Sequence, residues 1–275
     1  MKYFLFFLSC VITINSYSQT DSAQATEAEK NWSVGLDITA PYMWRGQRYN
    51  SPNKMAFQPY ASYTFADKLT IGVWASSNLD DTPDSYQEFD WNIKYQINDY
   101  VAIQIADYYF PATKSGGGAG KYHYFDYDYG SPHTVDGTIL LNYGNFDFQW
   151  NTMIYGNDFK NIVEDDDGNV ISKKRAYSSY AELGYTHSFG ETGLSIRPCV
   201  GVALLNDEGY YGYDEDGDAG VNFCNVGAKL IWEAPFSENW TLPIWFNYGY
   251  NQFGLANLNG EIKHHLFSFG MSFVY

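Results

Sequence analysis

The sequence predicts an all-β chain: a closed antiparallel up-and-down transmembrane β-barrel of about twelve strands. Three observations carry that expectation. Apolar and polar residues alternate with period two through stretch after stretch, as strands with different solvents on their two faces require. The connections between those stretches alternate between long and short. The final stretch puts Phe267, Phe269, Met271, Phe273 and Tyr275 on one face and Ser268, Gly270, Ser272 and Val274 on the other. A strand with five large apolar side chains in register faces hydrocarbon more readily than water.

Composition agrees. The chain has 275 residues, is 19% aromatic with 26 Tyr, and carries a net charge of -16, yet its mean hydropathy is only -0.37. No apolar run reaches the length of about 18 residues that a helical span needs. A barrel escapes that test because lipid-facing and lumen-facing residues average out. Residues 1–18 read as a secretory signal peptide: Lys2, an apolar run around Phe4–Leu8 continuing to Ile14, then small residues before Gln19. Residues 19–30 read as a flexible periplasmic lead-in and 31–275 as the outer-membrane barrel, without an internal domain boundary. With Cys10 in the signal, Cys199 and Cys224 remain, and the alternation places them on opposite faces, so no disulfide framework is expected.

The first stretch, 31–45, sets Trp32, Val34, Leu36 and Ile38 against Ser33, Gly35, Asp37 and Thr39. The second, 55–65, sets Phe57, Pro59, Ala61, Tyr63 and Phe65 against Ala56, Gln58, Tyr60, Ser62 and Thr64. The third, 69–79, and the fourth, 86–98, repeat the pattern, the fourth with Glu88, Asp90, Asn92 and Lys94 on its polar face. The pattern continues over 101–110, 133–143, 146–155, 175–189, 193–205, 220–235 and 240–251, and the closing strand ends it. Between them, 46–54, 80–85, 111–132, 156–174, 206–219 and 252–265 are long connections. Residues 66–68, 98–100, 144–145, 190–192 and 237–239 are short ones, and Gly144–Asn145 suits a two-residue hairpin turn. Long loops on one rim and tight turns on the other are what an outer-membrane barrel shows. Twelve strands about 4.8 Å apart and tilted about 40° give a backbone diameter of roughly 24 Å, and a lumen of roughly 8–12 Å if nothing enters it.

By this alternation Asp37, Arg45, Glu88, Asp90, Lys94, Asp136, Asp147, Glu182, Arg197, Lys229 and Glu233 line the pore. Acids outnumber bases, which predicts a mild preference for cations in a low-dielectric channel. Glu182 and Arg197 fall opposite or diagonal across one hairpin, so bracing ion pairs are expected as well. The acidic runs Glu164–Asp167 and Asp214–Asp218 lack EF-hand spacing and read as solvated loops, so no metal or other cofactor is expected. Catalysis in such a barrel needs a nucleophile and a base within reach of each other. His187 and Ser188 are adjacent and face opposite ways, His264 and His265 are loop-side residues, and Ser131 with His133 is a weak pair. No enzymatic role is expected.

The closing pattern Ser268-x-Gly270-x-x-Phe273-x-Tyr275 resembles the C-terminal signal by which bacterial outer-membrane barrels are handed to their assembly machinery. Residues 42–90 resemble the TorF family of porins. The matching features are Tyr42-x-Trp44-Arg45-Gly46, Gln58–Pro59, Gly72-Val73-Trp74-Ala75-Ser76 and Glu88-x-Asp90, in that order. Gln47–Arg48 and Pro59 depart from the family pattern. The resemblance implies a porin-like protein of the Gram-negative outer membrane and singles out Arg45, Glu88 and Asp90, which face inward toward the outer ends of their strands and read as a constriction or as an internal brace. The expected function is passive transport of small hydrophilic solutes, with membrane lipid and the assembly machinery as the other partners and no nucleic acid. The competing expectation is a non-conducting structural or adhesive barrel closed by the loop 111–132, and the least favoured a lipid-modifying enzyme.

Overall fold

Lipid leaves no water to satisfy exposed backbone groups, so a sheet that crosses a bilayer must close on itself. The computed structural model describes residues 31–51, 53–80, 86–111, 124–237, 240–256 and 262–274, and it shows such a closure. Twelve strands form the wall: β1 (Trp32–Ala40), β2 (Ala56–Phe65), β3 (Leu69–Ser77), β4 (Gln87–Asn98), β5 (Val101–Tyr109) and β6 (His133–Tyr143). They continue with β7 (Phe146–Gly156), β8 (Ser179–Tyr185, resumed at His187–Ser188), β9 (Leu194–Leu205), β10 (Asn222–Ser237), β11 (Trp240–Ala256) and β12 (Ile262–Val274). Each pairs antiparallel with its sequence neighbours. The seam is β1 on β12, with Gly35 opposite Val274 and Thr39 opposite Gly270. No helix occurs among the described residues.

The wall is inverted relative to a soluble barrel. Ile93, Ile103, Ile105, Ile139, Trp150, Phe246, Phe267 and Phe269 are exposed on its outside, whereas Gln58, Asp90, Gln104, Asn151 and Ser272 are buried inside. Only hydrocarbon solvates an outer face of that kind without penalty. Exposed aromatic pairs cluster at the short-turn rim: Tyr63 with Phe65 at 4.6 Å, Tyr100 with Tyr143 at 5.8 Å and Phe146 with Tyr185 at 4.9 Å, where an interfacial girdle would lie.

Turn chemistry fixes the register. Phe65 pairs with Leu69 across Ala66 and Asp67, both at positive φ, and Tyr143 pairs with Phe146 across Gly144 at φ 59°. A one-residue slip would turn the apolar face inward, so these turns and the alternation reinforce each other.

Three boundaries differ from the sequence expectation. β1 stops at Ala40 rather than near residue 45, because Pro41 has no N–H to extend the ladder. Within the expected loop 156–174 lies a hairpin, Phe159–Glu164 on Val170–Arg175, and β8 starts only at Ser179. Much of the expected loop 252–265 is strand, since β11 and β12 still pair at Leu255 and Lys263. The signal peptide, the lead-in and Tyr275 lie outside the described residues, as do residues 112–123 of the loop expected to plug the lumen.

Introducing a charge on the lipid side tests this arrangement. Ile105→Lys, at mid-wall, is expected to destabilise the folded barrel by about 2–4 kcal/mol, and Ile97→Lys, near the short-turn rim, by about 0–1 kcal/mol. Denaturant unfolding in lipid vesicles measures both, and equal costs at the two depths would contradict a membrane-embedded wall.

Candidate functional site

Beyond Pro41 the chain turns into the barrel instead of over its rim. Tyr42 N–H donates to Asn50 Oδ1 at 2.6 Å, and Tyr49 N–H donates to the Tyr42 carbonyl at 3.1 Å. Met43 pairs with Arg48 and Trp44 with Gln47. The two residues between, Arg45 (φ 47°) and Gly46 (φ 74°), both have positive φ, as a tight two-residue hairpin of type I′ demands. Gly46 is needed for a second reason. A Cβ there would collide with the Cys224 carbonyl oxygen of β10. Asn251 Nδ2 donates to the Gly46 carbonyl at 2.8 Å, and Gln47 Nε2 to the Tyr210 carbonyl at 2.8 Å. The hairpin therefore folds into the lumen and docks on β10, β11 and the segment 206–212.

Its tip carries Arg45, only 4% exposed. Arg45 Nη2 pairs with Asp136 Oδ2 of β6 at 2.6 Å, and Nη1 donates to Tyr211 OH at 3.2 Å. The guanidinium also lies 4.1 Å from the Trp44 ring centroid. Asp136 is satisfied further by Tyr108 OH at 3.2 Å and Thr138 Oγ1 at 2.9 Å. Around this pair an aromatic cluster fills the long-loop half of the lumen. Trp44 meets Tyr108 at 5.4 Å, Tyr42 meets Trp74 at 5.5 Å, Tyr49 stacks on Phe110 at 6.2 Å and Tyr211 meets Tyr180 at 5.6 Å. Among the described residues, 41–50 and 206–212 thus occupy part of the lumen of roughly 8–12 Å expected from strand number.

Beneath the hairpin a polar cavity of about 80 Å³ remains, lined by Arg45, Glu182, Arg197, Lys229 and Trp245 among others. That is room for a few water molecules. Arg197 braces two strands there: Nε donates to Asp147 Oδ2 at 3.0 Å, and Nη2 pairs with Asp147 Oδ1 and, at 2.9 Å, with Glu182 Oε1. Asn225 Nδ2 donates to Glu182 Oε2 at 2.7 Å. Lys229 Nζ lies 4.7 Å from the Trp245 ring, and Ser272 Oγ donates to Asp37 Oδ1 at 2.5 Å. Lys94 stands in register with Thr70 and Gln104, and Glu233 with Pro243.

Of Arg45, Glu88 and Asp90, the structure pairs Arg45, which leaves β1 with the hairpin, with Asp136 of β6. Glu88 is held by Tyr86 OH, and Asp90 Oδ1 is buried without a hydrogen-bond partner. The cysteines depart from expectation. A bulge between Gly201 and Val202 shifts the register of β10, leaving Cys224 fully buried with Sγ directed at the Gly201 carbonyl. Cys199 borders the internal cavity, so both thiols lie on the interior side and both are free.

Sequence reasoning missed the inward hairpin and Tyr211, which no strand period marks. Arg45–Gly46 between two short extended pairs was the available signal. It also missed Asp107. In β5 the apolar face reads Val101, Ile103, Ile105, Asp107 and Tyr109, and a carboxylate on that face was the sign.

No protein-family model and no curated protein matches the chain. Among solved structures it is similar to a protein from work on in-meso crystallization of membrane proteins (6% identity over 89% of this chain and 83% of that one, TM-score 0.45). It is also similar to the outer membrane protein opdK of Pseudomonas aeruginosa (14% identity, 90% of this chain and 61% of that one, TM-score 0.38). LpxR from Salmonella typhimurium matches at 10% identity (88% of this chain and 99% of that one, TM-score 0.38). At TM-scores below 0.5 none of these likenesses bears on activity.

Arg45→Ala is expected to destabilise the barrel by about 3–5 kcal/mol, because it leaves the Asp136 carboxylate buried without its cation, whereas the double change Arg45→Met with Asp136→Leu restores most of that loss. Urea unfolding in lipid measures both. A loss below about 1 kcal/mol for the single change would mean that Asp136 is not a buried charge.

Proposed function

We propose that this chain is a porin-like channel of the bacterial outer membrane for small hydrophilic solutes, closed at its long-loop mouth by the 41–50 hairpin. The supporting observation is the interior itself. Strand after strand sends Asn, Gln, Thr, Ser and charged groups inward, the wettable lining that a path for hydrophilic solutes requires. The partial resemblance to TorF porins supports the same reading. In this reading the long loops face outward, the tight turns face the periplasm, and the closing strand is the part met by the assembly machinery. Asp37, Glu88, Asp90, Asp136, Asp147, Glu182 and Glu233 outnumber Arg45, Lys94, Arg197 and Lys229 along the path, which favours cations mildly.

One observation favours a second reading, a non-conducting barrel: the hairpin and its aromatic neighbours fill the outer half of the lumen. Planar-bilayer recording separates the two. The wild type is expected to conduct little. Gly46→Val, which forces the hairpin tip off the Cys224 carbonyl, is expected to raise unitary conductance several-fold, with a reversal potential displaced toward the cation side in a salt gradient. Silence from both proteins, each verified as folded, would reject the channel in favour of the structural barrel. Clear anion selectivity would reject the role given to the acidic lining.

A further inference from the structure

The segment 206–219 leaves the end of β9 and enters the lumen, and its two halves are held differently. The inner half is tied from several sides. Tyr211 N–H donates to Asn206 Oδ1 at 2.8 Å, and Asn206 Nδ2 donates to the Gly212 carbonyl at 3.0 Å. Arg45 Nη1 donates to Tyr211 OH, and Gln47 Nε2 to the Tyr210 carbonyl. Asp207 pairs with Lys160 at 2.6 Å, and Glu208 Oε1 accepts from Asn161 N–H at 3.2 Å. The outer half, 214–218, is a turn folded on itself: Asp214 Oδ1 accepts from the N–H groups of Asp216 and Asp218 at 3.1 and 2.8 Å. This turn meets the wall where Glu215 Oε1 lies 3.2 Å from His264 Nε2 of β12.

His264 stands between two acceptors. Nδ1 lies 2.9 Å from the Asn251 carbonyl oxygen. A carbonyl only accepts, so Nδ1 carries a hydrogen. The Glu215 carboxylate also only accepts, and Nε2 meets it only by carrying a second hydrogen, which makes the ring an imidazolium. A neutral ring, with its single hydrogen kept on Nδ1, would turn a lone pair toward the carboxylate. The tie is therefore made by the cation and broken when the proton leaves. The Asn251 carbonyl and then the Glu215 carboxylate hold the His264 pKa above the ordinary 6.5. Both side chains are open to water at the long-loop rim, 26% and 69% exposed. The other ionisable groups on the described elements packed here are Lys263 and His265 of β12, Asp214, Asp216 and Asp218 of the turn, and Tyr250, whose ring stacks on His264 at 5.8 Å. The carboxylates of the turn favour the charged ring.

We propose that His264 and Glu215 form a proton-dependent latch on the segment 206–219, fastened while His264 is charged and released as it is deprotonated, so that the long-loop mouth opens more often as pH rises. The consequence for transport rests on the channel reading given above; the latch itself does not. The sign follows from linkage: a histidine that gains a partner in the latched state stabilises that state below about pH 6.5 and stops doing so as pH rises through its raised value. A pair this exposed is a weak tie, so release changes the unlatched fraction by only about two- to five-fold. The buried Arg45–Asp136 pair keeps the 41–50 hairpin in place in both states.

Proteolysis of the folded full-length protein in detergent micelles tests the latch. Tyr211 is fully buried while the segment lies in the lumen, so chymotrypsin cleaves after it only when the segment is out. The cleavage rate, divided at each pH by that of the free peptide 206–219, is expected to rise about two- to five-fold between pH 6.0 and 8.5 in the wild type. In folded His264→Ala it should be fast at both pH values. In Glu215→Gln, whose amide can accept from the charged ring and donate to the neutral one, it should be slow at both. A wild type without the step, or a step that survives in either variant, would overturn the proposal. Planar-bilayer recording over the same range reads the channel separately. Open probability that rises with pH in the wild type but not in His264→Ala supports both readings, whereas a cleavage step with no conductance at any pH supports the latch and rejects the channel.

Discussion

The structure depends on one seam. β1 and β12, far apart in sequence, are hydrogen-bonded from Gly35 and Val274 to Ala40 and Phe269. That pairing removes the last free edge of the sheet. Without it, a row of backbone donors and acceptors would face hydrocarbon, each costing several kcal/mol. Strand number, alternation and turn geometry matter because they bring these two strands together in a register that keeps Asp37 and Ser272 inside and Phe273 outside.

Closing the sheet creates a second problem, because the interior of a twelve-stranded barrel is too wide for wall side chains alone to fill. The chain solves it in two ways. In the short-turn half, charged and amide groups brace one another around a small polar cavity, with Arg197 shared between Asp147 and Glu182. In the long-loop half, connecting segments supply the missing volume, and the Arg45–Asp136 pair holds the inserted hairpin to the wall. A buried ion pair adds little net stability against an apolar alternative. It does fix the hairpin tip to β6, because separating the pair would leave Asp136 a buried charge without its cation.

The outer surface shows the same economy of placement. A carboxylate on a lipid-facing strand is expensive unless donors surround it, and Asp107 has three: Trp91, Tyr127 and His133. The result is an imidazole with one nitrogen committed to the carboxylate, set among the rings of Tyr109, Tyr124 and Tyr127. The interior and the outer rim are thus separate polar clusters on the two faces of one wall.

How much of this was legible in the sequence follows from what each feature depends on. Strand identity, facing and the sorting of loops depend on local alternation and on turn residues such as Gly144. These are written in consecutive positions and survive in almost any register that keeps the faces apart. The inward hairpin, the partners of Arg45 and the interior position of Cys224 depend on segments distant in sequence meeting across the lumen, and on a bulge between Gly201 and Val202 that no periodicity announces. Asp107 and His133 stood in the sequence as a charge on an apolar face and a histidine next to a proline. Only the pairing of β5 with β6 puts 26 positions of separation within 3.1 Å. Alternation therefore determined the container. Long-range contact, which alone decides which buried charges find partners, determined what the container holds.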